Sequence, residues 1–238
     1  LAVPAQTVRK ALRELPAGQP ARILINTAKG LELDSLKRLS VVMEEECPGD
    51  RICVLSGPSH AEEVARFLPT AVVAASEDPD TARQVQELFM SDSLRVYSGG
   101  DLTGVEIGGA VKNVIALAAG INAGLGFGDN SSAALVTRGL HEISKLGQAL
   151  GASRETFGGL TGLGDLVVTC GSLHSRNRTC GYRLGRGEKL EDILADMGMV
   201  VEGVATAQAA RRLAESIPVD MPITREVCRV LFEDKSPR

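Results

Sequence analysis

Residues 107–123 read IGGAVKNVIALAAGINA, and this stretch determines how the rest of the chain is arranged. Between Gly108 and Ile121 the only polar side chains are those of the neighbours Lys112 and Asn113. A helix that is apolar on every face has no face to give to water, so the pattern predicts a helix buried inside the protein. The other elements are expected to pack around it.

Lys112 is costly in such a helix, because removing an ammonium group from water costs several kcal/mol unless partners compensate. Two structural interpretations are open. The amine reaches the surface on its long stem, or it belongs to a structural ion pair. A chemical role is the third interpretation, since strongly perturbed ionisable groups concentrate at functional sites. The residue type alone does not decide among them.

The composition indicates a soluble, core-forming protein of one large domain or two ordinary ones. The chain has 238 residues, of which 44% are apolar and 24% charged. A net charge of −4, scattered Lys and Arg, and no Trp argue against a nucleic-acid surface. The longest apolar run is interrupted by Lys112 and Asn113, so no membrane span is predicted.

The five cysteines are dispersed and contain no CxxC motif, which favours a reducing cytoplasm over a disulfide-stabilised fold. Cys170, His174 and Cys180 lie close together in sequence. Their spacing matches no common zinc site, and no fourth ligand is evident, so no metal site is predicted.

Two kinds of pattern divide the chain near residue 101. Before it, β-rich runs alternate with helices of about ten residues, which is typical of βαβ units and a mostly parallel sheet. The predicted strands are 21–26, 51–55, 70–75 and 94–97, and the predicted helices are 4–15, 34–46, one capped by Ser59, and 79–90. After it, helices are predicted at 102–124, 131–150, 190–197, 203–215 and from 222 onward. We therefore predict an α/β domain over residues 1–101 and an all-α domain over residues 102–238.

Two predicted strands end in loops suited to a ligand, and in open α/β sheets ligands bind beyond the carboxyl ends of the strands. The sequence TAKG at residues 27–30 places the charge of Lys29 beside a glycine. The sequence SGPS at residues 56–59 offers hydroxyl and backbone N–H groups at a helix start, which suits an anion. Thr, Ser and Gly are also ordinary turn residues, so each loop alone is better explained as a plain connection.

The helical half contains three further polar segments. GGLTGLGDL at residues 158–166 surrounds Asp165 with glycines, SRNR at 175–178 is a compact hydrogen-bonding cluster, and VVEG at 200–203 places Glu202 at a helix start. Their structural alternatives are a Gly-rich connection, a solvated loop and a helix cap. Arg suits bidentate phosphate recognition, so the combined residues favour a small phosphorylated substrate that undergoes proton transfer.

These motifs, in this order, resemble those of the bacterial-type NAD(P)-dependent glycerol-3-phosphate dehydrogenases. The matching segments are TAKG at 27–30, SGPS at 56–59, GGAVKN at 108–113, TGLGDL at 161–166, SRN at 175–177 and VEG at 201–203. Each segment is weak by itself. Together they cover nearly the whole chain and are highly specific.

The resemblance implies an incomplete Rossmann-type parallel sheet domain followed by an all-α, 6-phosphogluconate dehydrogenase-like domain, with the active site between them. It implies interconversion of sn-glycerol 3-phosphate and dihydroxyacetone phosphate with NAD(P)H, supplying phospholipid synthesis in the cytoplasm. It also implies a small phosphorylated substrate, no metal, no nucleic-acid partner and no membrane span, and it leaves a homodimer as one possible assembly.

The resemblance also assigns site residues. The implied catalytic residues are Lys112, Asp165 and Asn113, with Lys112 as general acid and base. The implied substrate contacts are Lys29, Gly57, Ser59, Lys112, Asp165, Ser175, Arg176 and Asn177. The implied dinucleotide contacts are Lys29, Ala61, Arg176, Val200 and Glu202.

The sequence departs from the family pattern at both ends. The first βα unit is missing, with its Gly-rich fingerprint and the residue that separates NAD from NADP, so the chain as given is expected to bind the dinucleotide poorly. Two alternatives are open. One is a related dehydrogenase acting on hydroxyisobutyrate, 6-phosphogluconate or ketopantoate, and the other is a non-catalytic remnant whose helical half is a dimerisation module.

Overall fold

The computed structural model describes residues 1–16 and 22–238, and within these ranges four strands form one sheet in the order β1-β2-β3-β4. The strands are β1 (Ile23–Asn26), β2 (Arg51–Ser56), β3 (Thr70–Ala75) and β4 (Leu94–Gly99). The predicted first strand began at Ala21, which lies outside the described residues. The pairs β1–β2 and β3–β4 are parallel.

The central pair, β2 and β3, is antiparallel, with Val54 opposite Ala75. The sheet was predicted to be parallel, and this one antiparallel pair of strands departs from that prediction. The connection between the two strands explains it, because its helix α3 (Ala61–Val64) has only four residues. Such a helix is about 6 Å long, whereas a six-residue strand is about 20 Å long, so the chain turns back instead of crossing the sheet.

The other helices before residue 101 are α1 (Val8–Arg13), α2 (Leu39–Glu46) and α4 (Pro79–Phe89). Two predicted helix starts are wrong. Asp34 lies in a turn, since Leu36 has a positive φ of 61° that ends any helix there, and α2 begins only at Leu39. Ser59 does not cap α3, because its hydroxyl instead donates to the Gly57 carbonyl at 3.0 Å.

The helical half is built around α5 (Leu102–Gly124), which is buried along nearly its whole length. By length and composition α5 could cross a bilayer, but it is fully enclosed by the protein. Around it lie α6 (Asp129–Ala149), α7 (Arg154–Gly158), a π-helical turn (Leu160–Gly164), α8 (Asp165–Gly171), α9 (Arg176–Gly185), α10 (Leu190–Met197), α11 (Glu202–Ser216) and α12 (Pro222–Phe232). The helices α7, α8 and α9 were not predicted.

Helices α5 and α9 touch through their backbones. A Cβ atom at Gly120 would overlap the Arg178 carbonyl, and one at Gly181 would overlap the Leu117 carbonyl. Only glycine at these positions permits such an approach. The contact fixes the start of α9 relative to the middle of α5, where Lys112 lies.

The α/β part docks onto the helical part at several points. Val54 and Ala75 share a small core with Leu102 and Val105, and Leu31 is buried in the main core of the helices. The sheet ends at Gly99 and α5 begins at Leu102. The division of the chain into two domains at residue 101 stays a prediction.

Candidate active site

Lys112 is only 5% exposed, which excludes the interpretation that its amine reaches the surface. Its Nζ donates to Asp165 Oδ1 and, at 2.8 Å, to Thr169 Oγ1. Asp165 is the first residue of α8 and is 1% exposed. The amine is therefore held by two fixed acceptors from one helix that packs against α5.

Lys29 is the second cation at the same carboxylate. Its Nζ lies 2.8 Å from Asp165 Oδ2 and 2.8 Å from the Gly57 carbonyl oxygen. The loops at residues 27–30 and 56–59 thus come together at the Lys29 amine, beside Asp165. Gly57 supports this geometry with a φ of 142°, where a Cβ would lie 3.0 Å from the Val72 Cα. One carboxylate faces two ammonium groups, which leaves one excess positive charge.

A chain of amide hydrogen bonds joins three helices beside the lysines. Asn177 on α9 donates to Asn113 Oδ1 at 2.9 Å and accepts from the Gly203 N–H on α11 at 2.8 Å. Asn113 Nδ2 lies 3.4 Å from the Lys29 carbonyl oxygen. Asn113 and Asn177 are therefore fixed next to the two cations, as part of the framework around them.

The remaining residues of the SRN motif lie at the start of α9. The Ser175 hydroxyl accepts from the Arg178 N–H at 3.2 Å and so caps the helix. Arg176 is exposed, and within the described residues no hydrogen bond to its side chain occurs. A free guanidinium at a helix N-terminus is suited to a phosphate, because the backbone dipole and the side chain both attract the anion.

The environment of Lys112 changes its acidity. Burial, and after it the Lys29 charge, lower the pKa of Lys112 to about 7, against the opposing effect of Asp165. Desolvation and a neighbouring cation both disfavour the ammonium form. Near neutral pH both the amine and the ammonium are available, as a general acid and base requires.

Glu202, the first residue of α11, offers a free acceptor at the edge of the site. Its Oε1 accepts from the Ala5 N–H at 2.9 Å, whereas Oε2 is buried and, in the part of the chain described, has no hydrogen-bond partner. Oε2 lies close to Gly30, the residue that follows Lys29, since a Cβ atom added to Gly30 would be 3.5 Å from it. Burial raises the pKa of Glu202. An orphaned buried acceptor is suited to the donors of a bound dinucleotide.

The other implied contacts lie around this centre without forming part of it. Ser59 is half-buried in the turn that carries Gly57, while Ala61 and Val200 are exposed where α3 and α11 begin. The rings of His60 and His174 lie 6.1 Å apart. Among residues 1–16 and 22–238, no group of three or more His, Cys, Asp or Glu could hold a metal.

Thr169 is a site residue that the sequence reading missed. Its hydroxyl accepts from Lys112 and lies 2.6 Å from the Asp165 backbone carbonyl, one helical turn earlier. The signal that could have found it is the spacing of four residues after Asp165, which puts both side chains on one helix face. That signal required α8 to be recognised as a helix.

Comparison with known protein families gives two matches. The model described as "NAD-dependent glycerol-3-phosphate dehydrogenase N-terminus" matches residues 1–82. The model described as "NAD-dependent glycerol-3-phosphate dehydrogenase C-terminus" matches residues 101–238. Together they cover most of the chain, on both sides of the junction between β4 and α5.

Individual relatives agree. A glycerol-3-phosphate dehydrogenase [NAD(P)+] from Pelotomaculum thermopropionicum is 56% identical over 99% of this chain and 68% of its own length. One from Bacillus subtilis is 53% identical over 98% of this chain and 68% of its length. The crystal structure of glycerol-3-phosphate dehydrogenase from Coxiella burnetii superposes with a TM-score of 0.93 at 37% identity, covering 99% of this chain and 72% of that one. That of the Saccharomyces cerevisiae enzyme gives 0.84 at 26% identity, covering 99% and 71%.

Proposed function

The chain belongs to the NAD(P)-dependent glycerol-3-phosphate dehydrogenase family, and on that premise we propose how its residues carry out the reaction. The enzyme interconverts sn-glycerol 3-phosphate and dihydroxyacetone phosphate. In the oxidising direction, C2 of the substrate loses a hydride and its hydroxyl loses a proton. The bound dinucleotide supplies the hydride acceptor, and the residues of this chain manage the proton and the substrate charge.

Lys112 is the general acid and base in this proposal. As an amine it accepts the proton of the C2 hydroxyl, and as an ammonium in the reverse direction it hydrogen-bonds the C2 oxygen and donates the proton. The observation that carries this role is the position of Lys112, buried beside a second cation with its pKa lowered to about 7. A lysine with an ordinary pKa would stay an ammonium at neutral pH and could not accept a proton.

Asp165, Thr169 and Asn113 orient the reacting groups. Asp165 and Thr169 hold two directions of the Lys112 amine, which leaves its third direction for the substrate oxygen. Asn113, fixed by Asn177, stands beside Lys112 on α5 and can contact the same oxygen. Fixed geometry of this kind contributes to catalysis because the reacting atoms are already aligned.

The phosphate of the substrate is bound by the excess positive charge of the site. Arg176 supplies a free guanidinium, and Ser175, Asn177, Gly57 and Ser59 supply polar groups around it. Lys29 adds a second charge. A phosphate group supplies the negative charge that the two lysines around a single carboxylate lack.

The dinucleotide is bound at the same cleft by Glu202, Lys29, Arg176, Ala61 and Val200. The unpartnered Glu202 Oε2 supports this assignment, since a buried acceptor without a donor has a free energy cost that a bound donor removes. Weak binding by the chain as given stays a prediction. Titration of NADH and NADPH, followed by fluorescence, measures it.

The wider role of the enzyme is also part of the proposal. We infer that it acts in the cytoplasm and supplies glycerol 3-phosphate for phospholipid synthesis, as the family does. The five cysteines are free and buried, as expected in a reducing compartment. A homodimer and a two-domain division at residue 101 are further parts of this inference, and light scattering and limited proteolysis respectively test them.

Replacing Lys112 by Ala tests the proposed function. In the full-length enzyme we expect turnover to fall by about 10²- to 10⁴-fold, the usual contribution of a general acid or base. The measurement is NAD(P)H absorbance with glycerol 3-phosphate as substrate. Lys145→Ala, a lysine on the outer helix α6, is the matched control and should keep normal turnover. Near-normal turnover of the Lys112 variant would contradict the assignment.

A further inference from the structure

We propose that residues 31–38 form an anchor that holds Lys29 in the active site, and that Leu31 is its main positioning residue. This inference rests on the proposed function only because it concerns the environment of Lys112. The anchor lies between β1 and α2 in the sequence, yet its side chains pack in the core of the helical half. Lys29 is thereby tied to the same core as Lys112.

The Leu31 side chain is 0% exposed and lies in the main core of the helical half. It shares this core with Ile107 and Ala110 of α5 and Ala210 of α11. Leu33 and Leu36 pack against the edge of the same core. Full burial of a leucine stabilises by about 1.5–3 kcal/mol relative to exposure, so the segment does not leave the core without a substantial cost.

Backbone hydrogen bonds hold the anchor from two sides. Gln6 donates to the Leu31 carbonyl at 2.8 Å and accepts from the Leu33 N–H at 2.9 Å. Arg212 of α11 donates to the Leu33 carbonyl at 2.9 Å. Within the anchor, Leu31 and Arg38 form an antiparallel bridge. These contacts fix the backbone two residues after Lys29.

Lys29 requires such a restraint because a second ammonium group shares its carboxylate. The two lysine amines repel each other, and Asp165 can neutralise only one of them. The Lys29 side chain is 20% exposed and that of Lys112 is 6% exposed, so Lys29 is the one that repulsion can drive toward solvent. Two residues of extended chain span at most about 7 Å, so the fixed Leu31 limits how far Lys29 can move.

The position of Lys29 has a chemical consequence. Its charge is one of the causes that lower the pKa of Lys112. If Lys29 moves away, this cause weakens, and the pKa of Lys112 rises toward the ordinary lysine value. A change at Leu31, which touches neither substrate nor amine, is therefore expected to alter the proton affinity of Lys112.

The test is a titration of the Lys112 side chain by NMR, using the chain labelled with ¹³C-lysine and a Lys112→Met sample to assign the signal. We expect the midpoint near pH 7 in the parent, and an upward shift of about 0.5–1 unit in Leu31→Ala, the size expected when one nearby charge partly withdraws. Leu31→Met keeps the volume of the side chain, so its Lys112 midpoint should equal that of the parent.

Leu146→Ala is the matched control, because Leu146 is also 0% exposed in the same core but lies on α6, outside the anchor segment. It should leave the Lys112 midpoint unchanged. Gln6→Ala removes the two backbone contacts without opening a core cavity, so it provides the same test if Leu31→Ala does not fold. We expect Gln6→Ala to shift the midpoint in the same direction.

Two results would overturn the anchor: unchanged Lys112 midpoints in both Leu31→Ala and Gln6→Ala, or an equal shift in Leu146→Ala. A parent protein in which Lys112 titrates as an ordinary lysine would overturn the role of Lys112 as well. Failure of the anchor and failure of the proposed function therefore give different results in the same experiment.

Discussion

Two buried charges lie on the same apolar helix, Glu106 and Lys112, and their surroundings differ. Glu106 accepts from Arg38 Nη1 at 2.5 Å, from the Ser40 N–H at 2.8 Å and from the Ser40 hydroxyl at 2.6 Å. The Glu106 carboxylate is therefore paired with one cation, and both of its oxygens accept hydrogen bonds. Lys112 instead shares a single carboxylate with Lys29.

The difference separates a structural charge from a chemical one. Burial raises the pKa of Glu106, against the opposing effects of Arg38 and Ser40, and the pair joins α5 to the start of α2. Around Lys112 the charges do not balance, the excess is positive, and the exposed Arg176 lies at the start of the neighbouring helix α9. Burial alone therefore identifies neither role. The balance of charges around the buried group does.

The largest effect on stability is expected at Glu106. Replacing it by Ala leaves Arg38 without its buried partner, which typically costs about 3–5 kcal/mol of unfolding free energy. Urea unfolding measures the loss. Turnover per folded molecule should fall far less than in Lys112→Ala, because Glu106 does not contact the lysine cluster.

Glu188→Ala is the control, since it removes an exposed partner of Arg183 and should cost at most about 1 kcal/mol. If Glu106→Ala unfolds no more easily than this control, or if it lowers turnover as strongly as Lys112→Ala, the distinction between the two buried charges is wrong.

A smaller effect is expected in the pH dependence of stability. Lys112 has its pKa lowered from the ordinary value of 10.5 to about 7 in the folded protein. Between these values the unfolded chain binds a proton that the folded chain does not, so this residue makes the unfolding free energy rise with pH, by at most about 1.4 kcal/mol per unit. Lys112→Met should remove that contribution.

Urea unfolding at several pH values between about 7 and 10 measures the difference between wild type and Lys112→Met. The expected result is a flatter curve for the variant. Parallel curves would mean that Lys112 keeps its ordinary proton affinity when buried, and its surroundings would then resemble those of Glu106.

The sequence predicts the fold best where one physical pattern dominates. Helix α5 was predicted with the bounds that the structure shows, because its residues are apolar on every face. Helices α8 and α9 were missed, since the glycines around Asp165 favour a connection and the polar cluster at 175–178 favours a loop. In the folded protein Gly181 permits close packing of helices, and this tertiary effect overrides local propensity.

The sequence predicted which residues belong to the site better than it predicted how they contact one another. The family resemblance grouped Asp165 with Lys112 as implied catalytic residues, and the structure places the two side chains in contact. The second contact of Asp165, with Lys29, joins residues 136 positions apart, and local spacing carries no signal for it. The antiparallel β2–β3 pair was likewise set by the short connecting helix, whose length the loop composition did not indicate.

The central claim is that Lys112 moves a proton and does not merely supply a positive charge. Adding small amines to Lys112→Ala tests it most directly, because the deleted side chain leaves a space that a small amine can occupy. Methylamine can transfer a proton, whereas tetramethylammonium carries the same charge without one. The account predicts that methylamine restores turnover and that tetramethylammonium does not. Equal restoration by both ions would contradict it.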